Sequence, residues 1–273
     1  MTNTPLSHLS GVTLKKGSHE LPSEGSCVME VAALVAGYEW VPINGPRHLP
    51  PCMSKTIGAF LIYLNDTMRD HERQSLLPFV TRMAGTRASA DVEQKRMIAI
   101  LSHTAKPLLV DTLRITGHER AARYAEGRSN EFIDLLEIVD FLTDYRGDST
   151  HFTLKGSVGD PFKPLMHFAQ SPVFVPYRSA FSDNETAKQA IDSFRLAIWE
   201  TAKGAPDDHY FASGQLMRLL VAHAKVAEAP RWDLCFKGIE AALAIGPRAT
   251  EVETAAIEKA AAVLRSKPLT EDA

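Results

Sequence analysis

Apolar residues recur every three or four positions along most of this chain between Cys27 and Leu264, while alternation with a period of two is almost absent. A helix with 3.6 residues per turn gathers such spacing into one apolar face, whereas a strand requires alternation. The chain is therefore expected to be all-α. Ile57, Phe60, Leu61, Leu64 and Met68 make one stripe, and Phe132, Leu135, Leu136, Val139 and Leu142 make another, entered at Ser129. Ala187, Ala190, Ile191, Phe194 and Ile198 line a third. Pro50-Pro51 read as a helix start, and Gly37 as a stop. Pro107 interrupts the helical stretch that runs from Ser89 to Gly117. Ser182 with Glu185, and Thr250 with Glu253, fit the capping box in which a hydroxyl and a carboxylate satisfy each other's helix-start N–H groups.

Between 145 and 182 the helical period lapses. Pro161, Pro164, Pro172 and Pro176 fall there with Phe162, Phe168, Phe174 and Tyr177, leaving room for one or two short strands at 151–154 and 173–175. A stretch that long without a helix reads as a boundary or a functional insertion. The expected organisation is an N-terminal helical domain over 1–144, a Pro- and aromatic-rich irregular connection over 145–182, and a C-terminal helical bundle over 183–273.

Composition narrows the class. The 273 residues are 45% hydrophobic and 23% charged, with a formal charge of −3. That is globular chemistry without the global positive excess of a nucleic-acid or membrane-surface binder. Three cysteines cannot build a disulfide framework. No apolar run approaches the ~18 residues that span a membrane, and the opening MTNTPLSHLSGVTLKKG carries no signal-type apolar core. The expectation is a soluble cytoplasmic protein that does not engage a membrane; oligomeric state is not legible.

Chemistry concentrates near the N-terminus. Cys27 stands at a helix start, where unpaired N–H groups favour a thiolate; His19 can serve as its base, and Glu30 lies one turn along. These three are the candidate catalytic residues. His19, Cys27 and Cys52, with His48 beside them, also offer N and S ligands for zinc, although the tight Cys-x₂₋₄-Cys knuckle of structural zinc sites is missing. The plainest reading keeps Cys27 as a small buried hydrophobe. A phosphate loop, a Gly-x-Ser-x-Gly elbow and a His-Glu-x-x-His pair are absent from the sequence.

Charge is segregated along the chain. From Arg82 to Arg128 nine basic residues face five acids, whereas Ser129 to Asp144 holds five acids and no base. Neighbouring helices commonly neutralise such runs. If they face apart, residues 82–128 offer a surface to an acidic protein or a nucleic acid, with Arg120 and Arg123 on one helix face as the anchor.

Gly17-x-His19, Cys27-Val28-Met29-Glu30-Val31-Ala32-Ala33, Val35-Ala36-Gly37 and Trp40 form a phrase that continues through Cys52, Leu64-Asn65-Asp66, Arg73, Leu76-Leu77 and Arg82 to Gly85-Thr86-Arg87. Over the first ~100 residues it resembles an uncharacterised family of actinobacterial and bacteriophage proteins; domain limits drawn from pattern carry that precision. The chain departs from that family's usual Gly-Glu-Pro-Trp at Gly37-Tyr38-Glu39-Trp40, and from its Asp-His-Pro near His48. The resemblance implies a prokaryotic or viral intracellular setting. The expected function is that of a helical accessory protein, encoded by a phage or mobile element, that binds a host or viral macromolecule, foremost a protein. A thiol- or zinc-dependent enzyme using Cys27 with His19 is the alternative, and a virion structural protein the second.

Overall fold

The structure, a computed structural model, describes residues 5–144, 184–204 and 206–265. Among them are ten helices of eight or more residues and no strand. The fold is all-α. The helices are α1 (Val28–Val35), α2 (Lys55–Thr67), α3 (Ala90–Ile100), α4 (Lys106–Ile115), α5 (Glu119–Glu126), α6 (Phe132–Asp144), α7 (Glu185–Lys203), α8 (Pro206–Ala227), α9 (Trp232–Leu243) and α10 (Thr254–Arg265). The proposed strands at 151–154 and 173–175 lie outside the described residues, as do Phe162, Phe168, Phe174 and Tyr177.

The chain divides into two units, one made of Met1–Arg96 with Leu243–Ala273 and the other of Met97–Ala242. This partition differs from the 1–144 and 183–273 limits read from the sequence. The physical reason is that α10 returns to the N-terminal residues: Arg265 Nη2 donates to the carbonyls of His8 (2.8 Å) and Ser10, and His8 Nδ1 meets Glu258 at 3.1 Å.

In the first unit, Ile57, Phe60, Leu61, Leu64 and Met68 are all buried as their spacing required. The helix begins later than Pro50-Pro51 because Ser54 is its cap, accepting from Ile57 N at 3.2 Å. After Asp70 the chain forms only single turns, at Asp70–Arg73, Gln74–Leu76 and Leu77–Val80, because Pro78 has no N–H to carry a longer helix. Helix α1 ends at Gly37, whose φ of 86° allows Tyr38 N to donate back to Ala33 O at 3.0 Å.

In the second unit, α7 and α8 are joined through Gly204 and Pro206. Gly204 takes the left-handed φ of 79° at the end of α7, and Pro206 supplies the first residue of α8. Phe194, Ile198, Leu216, Leu219 and Leu220 are buried. Residues Leu101–Ala105 form one π-helical turn, closed by Lys106 N donating to Leu101 O. The wider turn falls where Pro107 lacks a donor, so the interruption expected at Pro107 is a bulge rather than a break. Thr104 Oγ1 from this turn donates to Leu234 O at 3.0 Å, and a Cβ on Gly238 would lie 2.3 Å from the same Oγ1. Only glycine lets α9 approach this closely.

Two capping assignments change. Asn184 caps α7, its Oδ1 accepting from Ala187 N at 3.0 Å, while Ser182 lies outside the described residues. Thr250 does not start α10, which begins at Thr254; its N–H donates to Ala84 O at 2.8 Å instead.

Candidate functional site

The capping box that the sequence reading placed elsewhere is found at Cys27-Val28-Met29-Glu30. Cys27 is the N-cap of α1, and its Sγ takes the place of a hydroxyl, accepting from Glu30 N at 3.4 Å. The Glu30 carboxylate reaches back to accept from Cys27 N at 2.8 Å. It also collects three further donors: His19 N at 2.9 Å, Ile43 N at 3.2 Å and His19 Nδ1 at 3.1 Å. Because the facing atom is a carboxylate oxygen, the proton sits on His19 Nδ1. The Glu30 side chain is fully buried and that of His19 is 10% exposed. A buried carboxylate is tolerated here because its acceptor sites are filled.

Glu30 thus joins His19, in the loop before α1, to Ile43, in the loop after it. Asn65 and Asp66 of α2 hold the first loop from the other side. Gly17 N donates to Asp66 Oδ1 at 2.9 Å, Asn65 Nδ2 donates to Lys15 O at 2.8 Å, and Val28 N donates to Asn65 Oδ1 at 3.2 Å. Buried Arg73 closes the end of α2, donating to the carbonyls of Asn65 and Met68 at 2.6 Å each. Gly17, His19, Cys27, Glu30, Asn65, Asp66 and Arg73 therefore meet in one polar network that fixes the loop of residues 15–27. Gly25 is part of the fit: it has a φ of 137°, and a Cβ there would strike the Lys15 side chain at 2.4 Å and crowd His19 Nε2 at 3.1 Å.

The thiolate expected at Cys27 is not favoured. The residue is 2% exposed. Burial, reinforced by the nearby Glu30 charge, pushes its thiol pKa well above the ordinary value. Cys52 is half-buried and belongs to a different contact, with the Tyr38 hydroxyl; that hydrogen bond raises the Tyr38 pKa. His48 is exposed. Among the described residues, no group of three or more His, Cys, Asp or Glu side chains is disposed to hold a metal, so His19, Cys27 and Cys52 do not form the zinc site considered from the sequence.

Above the buried network the two loops carry exposed apolar side chains: Leu21 is 56% exposed, Tyr38 37% and Val41 44%. Trp40 Nε1 donates to Glu20 O at 3.0 Å and so ties the loop that carries Leu21 to the loop that carries Tyr38 and Val41. Leu21, Tyr38 and Val41 had no signal in the periodicity, since each lies outside a helix.

The basic stretch does not present a one-sign face. Arg96 and Lys106 are buried. Lys106 Nζ donates to the carbonyls of Arg128 and, at 3.2 Å, Ser129, and burial lowers its pKa. Arg114 pairs with Glu126 at 2.8 Å and Glu119 at 3.3 Å. Arg123 of the proposed anchor pairs with Glu119 at 3.5 Å. Arg120, also on α5, is half-buried. Arg128 pairs with Glu137, from the acidic run, at 2.7 Å. The segregation in sequence is largely neutralised in space.

No protein-family model, curated protein or solved structure matches this chain. Among the described residues, no helix is long and apolar enough to cross a membrane.

Proposed function

We propose that this chain is a helical binding protein that docks a protein partner on the surface formed by residues 20–24 and 38–43, in the prokaryotic or bacteriophage setting that the resemblance implies. The observation that carries this reading is the pinning of two exposed apolar loops by one buried carboxylate. Glu30 holds both His19 and Ile43, and Leu21, Tyr38 and Val41 of these loops stand exposed. Preordered loops bind with less loss of entropy than mobile ones. Large apolar side chains left in water on ordered backbone mark interaction sites more often than scattered single residues do. A protein is favoured over a nucleic acid because most cations between residues 82 and 128 are buried or paired with carboxylates. Binding is favoured over thiol chemistry because Cys27 is spent as a helix cap.

A photo-crosslinking amino acid placed at Tyr38, with Val221 as a control position, tests this in the native cells. The expected result is a discrete protein adduct at position 38, absent at position 221 and lost when Leu21→Asp is added. Equal labelling at both positions, or an adduct indifferent to Leu21→Asp, would overturn it.

A further inference from the structure

We infer that His223, Asp111 and Arg231 form an acid-sensitive latch at the corner where α8 turns into α9. At neutral pH Arg231 holds Asp111; when acid protonates His223, the carboxylate passes to the imidazolium and the corner loosens. All three residues belong to the second unit, so the inference stands apart from the docking surface.

One carboxylate oxygen faces two nitrogen groups. Asp111 Oδ2 accepts from Arg231 Nη1 at 3.0 Å and lies 4.0 Å from His223 Nε2. A movement of about 1 Å would turn the second approach into a hydrogen bond. Arg231 does not depend on Asp111, because its Nε and Nη2 make a two-pronged pair with Asp233 at 2.8 and 3.0 Å. It keeps a partner when Asp111 leaves. His223 has no such reserve: its side chain is 1% exposed and its Nδ1 is buried without a hydrogen-bond partner. Protonation puts an N–H on both ring nitrogens, and Asp111 is the carboxylate facing one of them.

The backbone between the two elements is suited to move. Helix α8 ends at Ala227, and Glu228 then takes a left-handed φ of 62°. Glycine commonly supplies that conformation past a helix end, since a Cβ disfavours it. Among the described residues only Glu228 adopts a positive φ without being glycine. The tie from Arg231 to Asp111 fastens this strained corner to α4.

The surrounding charges leave the contest to these groups. Burial is the main force keeping His223 neutral; Asp111 and Asp233 work against it, and Arg231 works with it. Lys237 is drawn to Asp233 at 3.9 Å. Helix α8 packs against α7, α4 and the π turn. On α7, Lys188 lies 4.0 Å from Glu185, and Arg195 pairs with Asp192 at 3.4 Å. On α4, Lys106 is held by backbone carbonyls and Arg114 by Glu119 and Glu126; His103 of the π turn is exposed. One turn away on α8, Leu219, Leu220, Val226 and Ala227 carry no charge.

Hydrogen–deuterium exchange of the full chain between about pH 8 and about pH 5, corrected for intrinsic rates, tests the latch. The amides of residues 224–234 should accelerate in acid about tenfold more than those of α2, and the change should reverse on neutralisation. Asp111→Asn removes the receiving carboxylate and should move this step about one pH unit lower, whereas Arg231→Gln removes the competing cation and should move it about one unit higher. Both side chains are more than a third exposed, at 35% and 41%, so these variants retain the core. His223→Gln should abolish the step; if its thermal midpoint shows that it does not fold, the opposed shifts of the other two decide. Shifts in the same direction, no shift, a step that survives in folded His223→Gln, or acceleration shared equally by α2 would overturn the inference.

Discussion

Glu93 and Arg96, three residues apart at the start of α3, form an ion pair at 3.1 Å in which neither side chain is more than 4% exposed. Glu93 also accepts from Ser54 Oγ at 2.6 Å and Thr56 N at 3.1 Å. Arg96 donates to the carbonyls of Thr86 at 2.5 Å, Ile245 at 3.0 Å and Pro247 at 3.3 Å. The pair fastens the turn before α2, the turn after Met83 and the segment before α10. Burial lowers the Arg96 pKa, and Glu93 works against that fall. Removing either partner leaves an unpaired buried charge, so Arg96→Met and Glu93→Ala should each cost about 3–5 kcal/mol. Unfolding free energies from urea titration that stay within about 1 kcal/mol of wild type would contradict this, since that is the range of an exposed pair.

Glu30→Gln replaces a carboxylate oxygen with an amide NH₂ that faces N–H donors. Cys27 N and His19 Nδ1 share Oε2, and His19 N and Ile43 N share Oε1. Whichever way the amide turns, donors meet a donor, at a cost of about 1–3 kcal/mol. Amide exchange should accelerate at His19 and Ile43 together while α8 stays protected; exchange that changes at only one of the two loops would show that Glu30 does not couple them.

Native-state alkylation should label Cys52 first. Burial raises the thiol pKa of both Cys27 and Cys235, and only thiolate reacts. Cys27→Ser should retain the helix cap and its stability to within about 1 kcal/mol, whereas Cys27→Ala should lose about 1 kcal/mol. Mass spectrometry of the folded chain after iodoacetamide reads the first outcome, and Cys27 modified ahead of Cys52 would refute it.

His223 makes stability fall with acid. Its side chain is 1% exposed, its Nδ1 is buried without a hydrogen-bond partner, and Asp111 lies 4.0 Å from Nε2. Burial lowers its pKa from the ordinary 6.5, and Asp111 offsets only part of that fall. A folded-state pKa below the unfolded one gives stability that is fully present above about pH 6.5 and declines as pH drops toward the folded value. The slope there approaches 1.36 kcal/mol per pH unit. Chemical denaturation at pH 5, 6 and 7 should show stability falling with acid in wild type and falling less in His223→Gln; parallel profiles would remove His223 as the cause.

What the sequence disclosed depends on whether local rules were sufficient. Ile57 through Met68 were legible because a 3.6-residue period needs no knowledge of the partner surface. The cap at Cys27 was present as a Cys-x-x-Glu pattern, but cysteine is not among the residues that ordinarily announce a cap. Arg96 and Lys106 counted as surface charge on residue type, whereas Arg96 finds its carbonyls 149 and 151 positions away at Ile245 and Pro247. Nothing local records a partner at that distance. Glu30 was picked out as a member of the site, but as an accessory to a thiol. Three of its four donors, two from His19 and one from Ile43, lie in loops, where pattern is silent.

The π turn at Leu101–Ala105 holds one residue more than an α-helical turn of the same span. Length and composition are therefore linked at this place. Deleting a single residue there restores ordinary α winding and keeps the flanking helices in phase, but it sets the Pro107 ring against a carbonyl four residues earlier. Replacing Pro107 alone leaves a surplus residue with no reason to bulge. The segment can be shortened without strain only when the proline changes with it, so two alterations that each look modest must arrive as a pair.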